Sequence, residues 1–296
     1  MNSRPAVAAI VVTYNTLDDT RECIRSLLRV RYPRLGIVVV DNNSSDGTAA
    51  ALAREFPGVT VLAESENLGF TGGTNAGIRW CLARDWDAIL LLNSDTRVDE
   101  AFLERMVPHL KRDCIIAPVI RPLDGRGRRG PDPAWFDWRR GVACASAPAV
   151  GSHGGRPSRI ASGCCLLIPR EVFTTIGLLD ENFFLYYEDV DFVVRAQMAG
   201  FELVQEPAAV IYHRQTPTVA GRGVSPLKLY YNTRNRLYLM RKHARMGIWF
   251  VTYFAATRAG YALRYLVTGE FKLLVFMIRA IRDYTQGRLA RAEYRW

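Results

Sequence analysis

The 296-residue sequence lacks an uninterrupted apolar stretch of eighteen or more residues, so we expect no helix that crosses a membrane. Its six cysteines include no Cys-x-x-Cys pair, and the adjacent Cys164 and Cys165 are poorly spaced for a metal or a disulfide bond. Reduced, buried thiols in a cytoplasmic protein are the expected state. The apolar run at residues 6–12 is short and lacks a cleavage site, so it predicts a first strand and not a signal peptide.

Acidic residues are scarce in the last quarter of the chain. Residues 222–296 contain fifteen Lys and Arg residues but only Glu270, Asp283 and Glu293, whereas the whole chain has a net charge of +10. The tail therefore carries the entire basic excess. Aromatic residues interleave with the basic ones, which is typical of helices at a lipid surface, and we expect contact with an anionic membrane. The alternatives are a helical pair that packs on the rest of the protein or on another subunit, and a nucleic-acid surface.

Apolar runs and helical stretches alternate through the first 110 residues, a pattern typical of βαβ units and a mostly parallel sheet. A GxGxxG turn is missing after the first strand, where residues 13–16 read Thr-Tyr-Asn-Thr, and this argues against a dinucleotide-binding dehydrogenase. Residues 69–77 predict a Gly-rich turn, and residues 121–157, rich in Gly, Pro and Arg, predict a long loop. Other predicted strands cover residues 6–13, 36–40, 59–63, 89–92, 115–120, 161–169, 202–205 and 209–213, and predicted helices cover 18–30, 48–56, 76–84, 100–110, 170–176, the stretch from 188 and most of the chain after 226.

Acidic side chains recur where predicted strands end, at Asp41, at Asp95 and at the pair 188–189, and His213 follows a later strand. Ligands of open α/β sheets bind beyond the carboxyl ends of the strands, so we expect these side chains to share a crevice. Unpaired buried carboxylates are costly, and Mg²⁺ or Mn²⁺ with a nucleotide diphosphate would offset that cost. A nucleic-acid partner leaves the carboxylates unexplained, so none is expected. For Asp95 alone, a helix cap at Asp95 or Thr96 is an equally good explanation.

Five motifs stand in order along the chain: VVTYN (11–15), VVDNNSSDGT (39–48), NLGFTGGTNAG (67–77), LLNSD (91–95) and YEDVDF (187–192). Together they resemble the family 2 glycosyltransferases of the GT-A fold, in particular rhamnosyltransferase-like members that build bacterial cell-surface glycans. The resemblance covers residues 7–214 and implies an α/β, Rossmann-like mixed sheet, mostly parallel and flanked by helices. It implies a nucleotide-sugar half (about 1–110) and an acceptor half (about 111–215), followed by a helical basic tail (216–296).

The resemblance implies a donor site on the first half of the chain. Asp41 would accept a hydrogen bond from the N3–H of a pyrimidine, which disfavours cytosine. Asp95 would bind Mg²⁺ or Mn²⁺, and His213 would be a further ligand, a diphosphate contact or simply a strand-end histidine. Asn93 replaces the first Asp of the family's Asp-x-Asp motif, which puts the metal affinity in doubt. The other nucleotide- and donor-binding residues that the resemblance implies are Thr13, Tyr14, Asn15, Asn67, Gly69 and Asn75, the last three in a Gly-rich loop whose backbone approaches ribose and diphosphate.

Asp189 resembles the general base of inverting members, which takes the proton of the acceptor hydroxyl as that hydroxyl attacks the anomeric carbon. Glu188 and Asp191 compete for this role. Glu188 would otherwise orient the base or touch the acceptor, and Asp191 would be a further acceptor or orienting residue or would cap or face the helix. Trp135 and Trp138 would stack on a sugar or form a lid, or else anchor the core or the surface. The segment implied to lie beneath the donor sugar and the acceptor is Ser162 and Gly163.

The expected activity is therefore that of an inverting, metal-dependent hexosyltransferase in cell-surface polysaccharide synthesis. The resemblance alone favours dTDP-rhamnose as the donor, and UDP-sugars or other dTDP-sugars stay open. The acceptor would be a hydroxyl of a glycan or of a polyprenyl-linked glycan. We expect a peripheral protein at the inner face of the plasma membrane, with no indication of its oligomeric state. The alternative is a weak or inactive relative that acts as a binding partner, which Asn93 leaves open.

Overall fold

The protein is described by a computed structural model at residues 4–123, 125, 134–147, 158–214 and 225–294. The strands are β1 (Val7–Thr13), β2 (Leu35–Asp41), β3 (Thr60–Ala63), β4 (Ala88–Asn93), β5 (Thr96–Val98), β6 (Cys114–Pro122), β7 (Ala134–Asp137), β8 (Val142–Cys144), β9 (Ser158–Ile160), β10 (Cys165–Pro169) and β11 (Glu202–His213). The helices are α1 (Leu17–Leu28), α2 (Thr48–Glu55), α3 (Gly69–Leu82), α4 (Phe102–Met106), α5 (Arg170–Ile176), α6 (Glu188–Met198), α7 (Pro226–Lys242), α8 (Ile248–Val267) and α9 (Phe271–Thr285).

Eight strands form one mixed sheet in the order β3-β2-β1-β4-β10-β6-β11-β5, in which β3, β2, β1 and β4 are mutually parallel. Successive side chains of a strand point to opposite faces of the sheet, so the side chains on the two faces of β1 pack into different buried clusters. Val7, Ala9 and Val11 join one buried cluster, whereas Ala8 and Ile10 join the other. A sheet with a core on both faces explains why β1 is apolar at consecutive positions. The predicted α/β class is confirmed.

The Gly-rich segment 69–77 is helical, so the prediction of a turn there is wrong. Helix α3 begins at Gly69, seven residues before the predicted helix. A Cβ atom at Gly73 would lie 2.8 Å from the Asn42 side chain, and one at Gly77 would lie 2.6 Å from Ile10. The glycines therefore let the helix pack closely on the sheet, and this packing outweighs their low intrinsic helix propensity.

The segment predicted as one long loop, residues 121–157, contains additional strands. β7 pairs antiparallel with β8 and with β9 in a small second sheet, and residues 124, 126–133 and 148–157 lie outside the described range. Phe136 and Trp138 are buried at this sheet, with ring centroids 4.8 Å apart in an edge-to-face contact. These aromatic residues join the buried cluster that also contains Phe183 and Val190, so the segment is ordered by packing that its Gly and Pro content did not indicate.

The two strands predicted at residues 202–205 and 209–213 form a single strand, β11. Its pairing with β6 shifts register between Glu206 and Val210, so the polar break in the pattern marks a bulge and not a strand end. Strand β5 also escaped prediction because it has only three residues, which pair antiparallel with the end of β11.

The described part of the basic tail packs on the half of the protein that holds Asp189. Phe183 and Val190 share one buried cluster with Leu237 of α7 and Phe250 of α8. The boundary at residue 215 stays a prediction. In α8 only Phe250, Phe254 and Tyr265 are buried. Within the described ranges, no helix combines the length and the apolar character that crossing a membrane requires.

Candidate active site

The carboxyl ends of β1, β2 and β4 meet at one edge of the sheet. Thr13 at the end of β1 is level with Asp41 of β2, and Val12 is level with Asn93 of β4. The N–H of Asn93 donates to the carbonyl of Cys164 at 2.9 Å, which brings the segment before β10 to the same edge. Neighbouring strands lie about 4.8 Å apart, so this edge extends about 14 Å from β2 to β10.

Asp189, at the start of α6, reaches this edge through Gly163. The N–H of Gly163 donates to Oδ2 of Asp189 at 2.9 Å, and the N–H of Val190 donates to Oδ1 at 2.8 Å. A Cβ atom at residue 163 would lie 3.0 Å from the Cβ of Asp189, so glycine permits the close approach. Ser162, next to it, uses its hydroxyl to accept from the N–H of Cys164. Asp41, Asp95 and Asp189 therefore project from elements that meet at one edge.

Glu188 is buried, Asp189 next to it is partly buried, and the two differ in their hydrogen bonds. Burial, reinforced by the charge of Asp189, raises the pKa of Glu188 to about 8, and Oε2 of Glu188 has no partner among the described residues. Burial also raises the pKa of Asp189, but the two backbone N–H donors oppose that shift. Near neutral pH Glu188 is therefore mostly protonated, whereas the two backbone N–H donors favour the charged form of Asp189.

Glu188→Gln is expected to change how the stability of the protein depends on pH. Glu188 loses its proton near pH 4.5 in the unfolded chain and near pH 8 in the folded protein, so folding retains a proton between these values. The wild-type protein therefore loses stability as the pH rises through this window. We expect similar unfolding free energies for the two proteins at pH 4.5, and a variant more stable by on the order of a few kcal/mol at pH 9. Urea unfolding at both pH values measures the difference, and parallel pH profiles would contradict the assignment.

The chain just before α6 adopts an unusual backbone. Phe184, Tyr186 and Tyr187 have φ angles of 61°, 70° and 75°, a left-handed region that non-glycine residues rarely occupy. Such a backbone costs of order 1–3 kcal/mol per residue and persists only when its surroundings hold it. This segment immediately precedes Glu188 and Asp189, so whatever holds it also fixes the position of these two carboxyl groups.

Asn235 of α7 holds that segment. Its Nδ2 lies 2.8 Å from the carbonyl oxygens of Phe183, Leu185 and Tyr186 and donates to them, while its Oδ1 accepts from Arg234. The Arg234 guanidinium also donates to the carbonyl of Phe183 at 3.0 Å. Sequence reasoning missed both α7 residues. The only signal was an uninterrupted polar stretch at residues 232–236 in a helix that is otherwise rich in apolar residues.

Asp191 does not line an acceptor site, which corrects its prediction as an orienting residue. It is completely buried, and its carboxylate accepts from Arg195 at 2.8 Å, from Lys242 at 2.9 Å and from His243 at 3.0 Å. Burial alone would raise its pKa, but the His243 hydrogen bond and the charges of Arg195 and Lys242 outweigh burial and lower the pKa to about 2. Asp191 therefore joins α6 to the end of α7.

Asp95 and His213 meet at the same edge, because β5 and β11 pair there. Nε2 of His213 lies 3.1 Å from Oδ1 of Asp95. Oδ1 of Asn93 is buried and has no hydrogen-bond partner in the described part of the chain. Carboxylate, imidazole and amide oxygen suit a divalent cation such as Mn²⁺, and diphosphate oxygens would complete its coordination. No cluster of three or more His, Cys, Asp or Glu residues suited to a metal occurs in the described ranges.

The residues expected at the base pocket surround the loop after β2. Asp41 is buried and accepts hydrogen bonds from the N–H and the hydroxyl of Ser44. Oδ1 of Asn15 accepts from the N–H of Ser45 at 2.8 Å, and Tyr14 is 47% exposed. The Thr13 hydroxyl is turned to α1, where it hydrogen-bonds with Thr16 and Thr20.

The structure revises the roles predicted for the 67–77 motif. Oδ1 of Asn67 accepts from the N–H of Gly69 at 2.8 Å, next to the start of α3. A Cβ atom at Gly69 would lie 2.5 Å from the carbonyl oxygen of Phe184, so the close approach seen here is to the chain before α6. Asn75 is inside α3 and buried, and its amide binds both backbone groups of Leu179. The prediction of Asn75 as a donor-loop residue is therefore wrong.

The two tryptophans of the small sheet have different environments. Trp138 is buried, its Nε1 donates to the Ser158 hydroxyl at 3.1 Å, and its ring lies against that of His243. It anchors the core, and a role in a lid is excluded. Trp135 is only partly buried in β7, so its role in sugar stacking stays a prediction.

A comparison with protein families gives a match to the model described as "Glycosyl transferase family 2", which covers residues 8–177, more than half of the chain. The matched region includes Asp41 and Asp95, and it ends before Asp189.

Two curated relatives are similar along most of their length. The N-acetylglucosaminyl-diphospho-decaprenol L-rhamnosyltransferase of Mycobacterium tuberculosis is 26% identical over 285 residues, covering 86% of this chain and 90% of the relative. The low-salt glycan biosynthesis hexosyltransferase Agl10 of Haloferax volcanii is 27% identical over 234 residues, covering 78% and 74%.

Among solved structures, the mannosyltransferase PcManGT of Pyrobaculum calidifontis, in complex with GDP-Man and Mn²⁺, is similar in fold. The TM-score is 0.61 at 18% sequence identity, and the alignment covers 96% of this chain and 88% of the other. The fold is therefore that of a glycosyltransferase, as the sequence resemblance implied.

Proposed function

This chain belongs to glycosyl transferase family 2, and from that premise we propose that it transfers a sugar, with inversion, from a nucleoside diphosphate to an acceptor hydroxyl. The observation that supports the proposal best is the position of Asp189. It combines two backbone N–H donors, a neutral Glu188 neighbour and a place on the sheet edge that also carries Asp95. The donor proposed first is dTDP-rhamnose, on the sequence resemblance and on the rhamnosyltransferase named among the relatives. UDP-sugars are the alternative donors.

Asp189 acts as the general base in this proposal. Each of its oxygens accepts one backbone N–H, which leaves further lone pairs for the proton of the acceptor hydroxyl. Burial raises its pKa and so makes it a stronger base than an exposed aspartate. Glu188 stays protonated near neutral pH, so it adds no second negative charge that would repel a diphosphate.

Asp95, His213 and Oδ1 of Asn93 are proposed to hold Mg²⁺ or Mn²⁺. When bound, the cation would stabilise the charge that develops on the departing nucleoside diphosphate. Asp41 is proposed to recognise the base, because a buried carboxylate can only accept and therefore selects an N–H of the base. Asn93, which replaces an Asp, favours a second candidate function, that of a weak or inactive relative that binds nucleotide sugars without turning them over.

The acceptor is proposed to be a glycan linked to a polyprenyl diphosphate, in keeping with the name of the mycobacterial relative. The direct test is an assay with dTDP-rhamnose, Mn²⁺ and N-acetylglucosaminyl diphosphate that carries a short prenyl chain. We expect acceptor-dependent release of dTDP and a product of inverted anomeric configuration by NMR. If UDP-, GDP- and dTDP-sugars all give no release above that of heat-inactivated protein, the proposed activity is wrong.

The protein is proposed to act at a membrane surface, the inner face of the plasma membrane. The outward side of α8 is apolar and uncovered, and Ile248, Leu263 and Val267 are 70%, 64% and 78% exposed. The helix contains no acidic residue, so nothing on it repels anionic lipids.

Leu263→Glu combined with Val267→Glu is expected to weaken binding to vesicles of phosphatidylglycerol and phosphatidylcholine by about tenfold or more. The two side chains lie one turn apart on the exposed side of α8, and each would lose the free energy of burial in lipid. Co-sedimentation measures the partition coefficient. The control is Leu28→Glu, which places the same charge at an exposed leucine of α1. Equal sedimentation of the double variant and the control would contradict membrane contact through α8.

A further inference from the structure

Two arginines, one on α7 and one on α8, are shielded from solvent and have no carboxylate partner among the described residues. Arg236 is 5% exposed and Arg258 is partly buried. Neither forms an ion pair with any Asp or Glu in the part of the chain that the structure describes, whereas buried charges are normally paired. Nε of each guanidinium is also buried without an acceptor among these residues.

The contacts that the two arginines do make account for only part of this burial. One nitrogen of Arg236 donates to the carbonyl of Arg140, and one of Arg258 donates to the Thr233 hydroxyl at 3.0 Å. The Arg236 guanidinium also faces the rings of Phe250, Tyr253 and Phe254 at 5.6, 5.4 and 5.4 Å, and the Arg258 guanidinium faces those of Phe254 and Tyr261 at 5.4 and 4.9 Å. These ring contacts offset part of the cost of burying the two charges, but they supply no acceptor for the N–H of either Nε.

Neither arginine can escape this cost by giving up its proton. Burial lowers the pKa of both and nearby tyrosines oppose that shift, and a guanidinium stays charged at neutral pH. Two adjacent positive charges with free N–H donors have the chemistry that binds a phosphate group through paired hydrogen bonds. An anion that enters between α7 and α8 would offset the cost.

The arginine pair is next to the candidate base. Tyr187, which immediately precedes Glu188, interacts electrostatically with both guanidinium groups and with Asp189. Its hydroxyl donates to the carbonyl of Gly141 at 3.3 Å, and a Cβ atom at Gly141 would lie 3.2 Å from Nε of Arg236. One side chain therefore separates the arginine pair from the carboxylate that would activate the acceptor.

We propose that Arg236 and Arg258 form a subsite for the diphosphate of a prenyl-linked acceptor. The inference rests on the proposed function and names its acceptor class. A diphosphate supplies the two negative charges that two unpaired guanidinium groups require. The same helix, α8, presents its uncovered apolar side beyond this subsite, so a prenyl chain leaving the diphosphate would have a lipid-facing surface nearby.

The test measures binding of farnesyl diphosphate and of inorganic pyrophosphate by calorimetry in EDTA, which suppresses binding at the proposed metal site. We expect Arg236→Met combined with Arg258→Met to weaken farnesyl diphosphate binding by at least about 100-fold, since each charged hydrogen bond contributes about 1.5–3 kcal/mol. The matched control is Arg264→Met, which removes an exposed arginine of the same helix and should change binding less than threefold. If the protein binds farnesyl diphosphate but not pyrophosphate, the prenyl chain contributes to binding at the subsite. If it binds both equally well, the diphosphate alone accounts for the binding.

Retained farnesyl diphosphate binding in the double variant, or no binding by the wild-type protein, would overturn the subsite. If the double variant does not fold, Arg258→Met alone carries the test, because this side chain is less buried. Nucleotide-sugar binding with Mn²⁺ is measured on the same proteins. If wild-type protein binds a nucleotide sugar while the arginine variants keep farnesyl diphosphate, the subsite is wrong and the proposed function stands. Without any nucleotide-sugar binding, the proposed function itself fails.

Discussion

Asp189→Asn is expected to lower the turnover number by about 10²- to 10⁴-fold and to leave the fold intact, because a positioned general base contributes about this much. An amide keeps the size of the side chain, and its oxygen still accepts from a backbone N–H of Gly163 or Val190. It cannot take a proton from the acceptor hydroxyl. Initial rates at saturating donor and acceptor, together with a thermal melt, separate a catalytic loss from a folding defect.

The control for this variant is Asp85→Asn, which makes the same substitution at an exposed aspartate outside the candidate site. The wild-type rate should also fall on the acidic side at a pH above the ordinary aspartate value of 3.8, since burial raises the pKa of Asp189. Near-normal turnover by Asp189→Asn, with an inactive Glu188→Gln, would transfer the role of base to Glu188.

Asn235→Ala is expected to cost about 3 kcal/mol or more of folding free energy and to reduce turnover as well. The substitution removes the Asn235 donor from the carbonyls of Leu185 and Tyr186, at about 1–3 kcal/mol for each unsatisfied group, while the carbonyl of Phe183 keeps the Arg234 guanidinium. The left-handed backbone before α6 then loses its support, so Asp189 is no longer fixed. Urea unfolding and initial rates measure the two effects.

Asn232→Ala is the matched control, because Asn232 lies one turn earlier on α7 and uses its exposed amide only for a bond to the carbonyl of Lys228. It should change the unfolding free energy by less than about 0.5 kcal/mol. If both variants lose similar amounts of unfolding free energy, the effect comes from removing any polar side chain of α7. Asn235 then does not position the segment before α6.

The sheet edge and its carboxylates could be predicted because they follow from local patterns. A buried parallel strand needs consecutive apolar residues, and a strand that ends at a ligand site needs an abrupt polar change, which residues 89–95 provide. The eight-stranded sheet places Asp41, Asp95 and Asp189 at the edge that this pattern indicated. Their roles in binding and catalysis stay predictions until they are measured.

The residues that sequence reasoning misjudged are those whose partners lie far away in the chain. In the sequence Asn75 resembles a ligand-binding residue. In the structure its side-chain amide donates hydrogen bonds to Leu179 and Glu181, which lie more than a hundred positions later in the chain. Asp191 stands in an acidic motif, but Lys242 and His243 from α7 neutralise it. No periodicity or spacing indicates such pairs, because they are set by how α3, α6 and α7 pack together.

The basic tail is also more closely connected to the candidate site than its composition indicated. α7 supplies Arg234 and Asn235 to the segment before α6, so removal of the chain after Ser225 would damage the candidate site as well as any membrane contact. Point substitutions on the exposed side of α8 are therefore the appropriate test of membrane binding.

The proposed activity requires that a nucleotide diphosphate and a divalent cation share the sheet edge that carries Asp95. The decisive measurement is a thermal-shift titration of wild-type protein and Asp95→Asn with dTDP-, UDP- and GDP-sugars, in Mn²⁺ and in EDTA. A ligand that binds only the folded state raises the melting temperature, so we predict a shift for at least one donor that requires both Mn²⁺ and Asp95. A shift that is unchanged by EDTA and by Asp95→Asn, or no shift with any donor, would contradict the account.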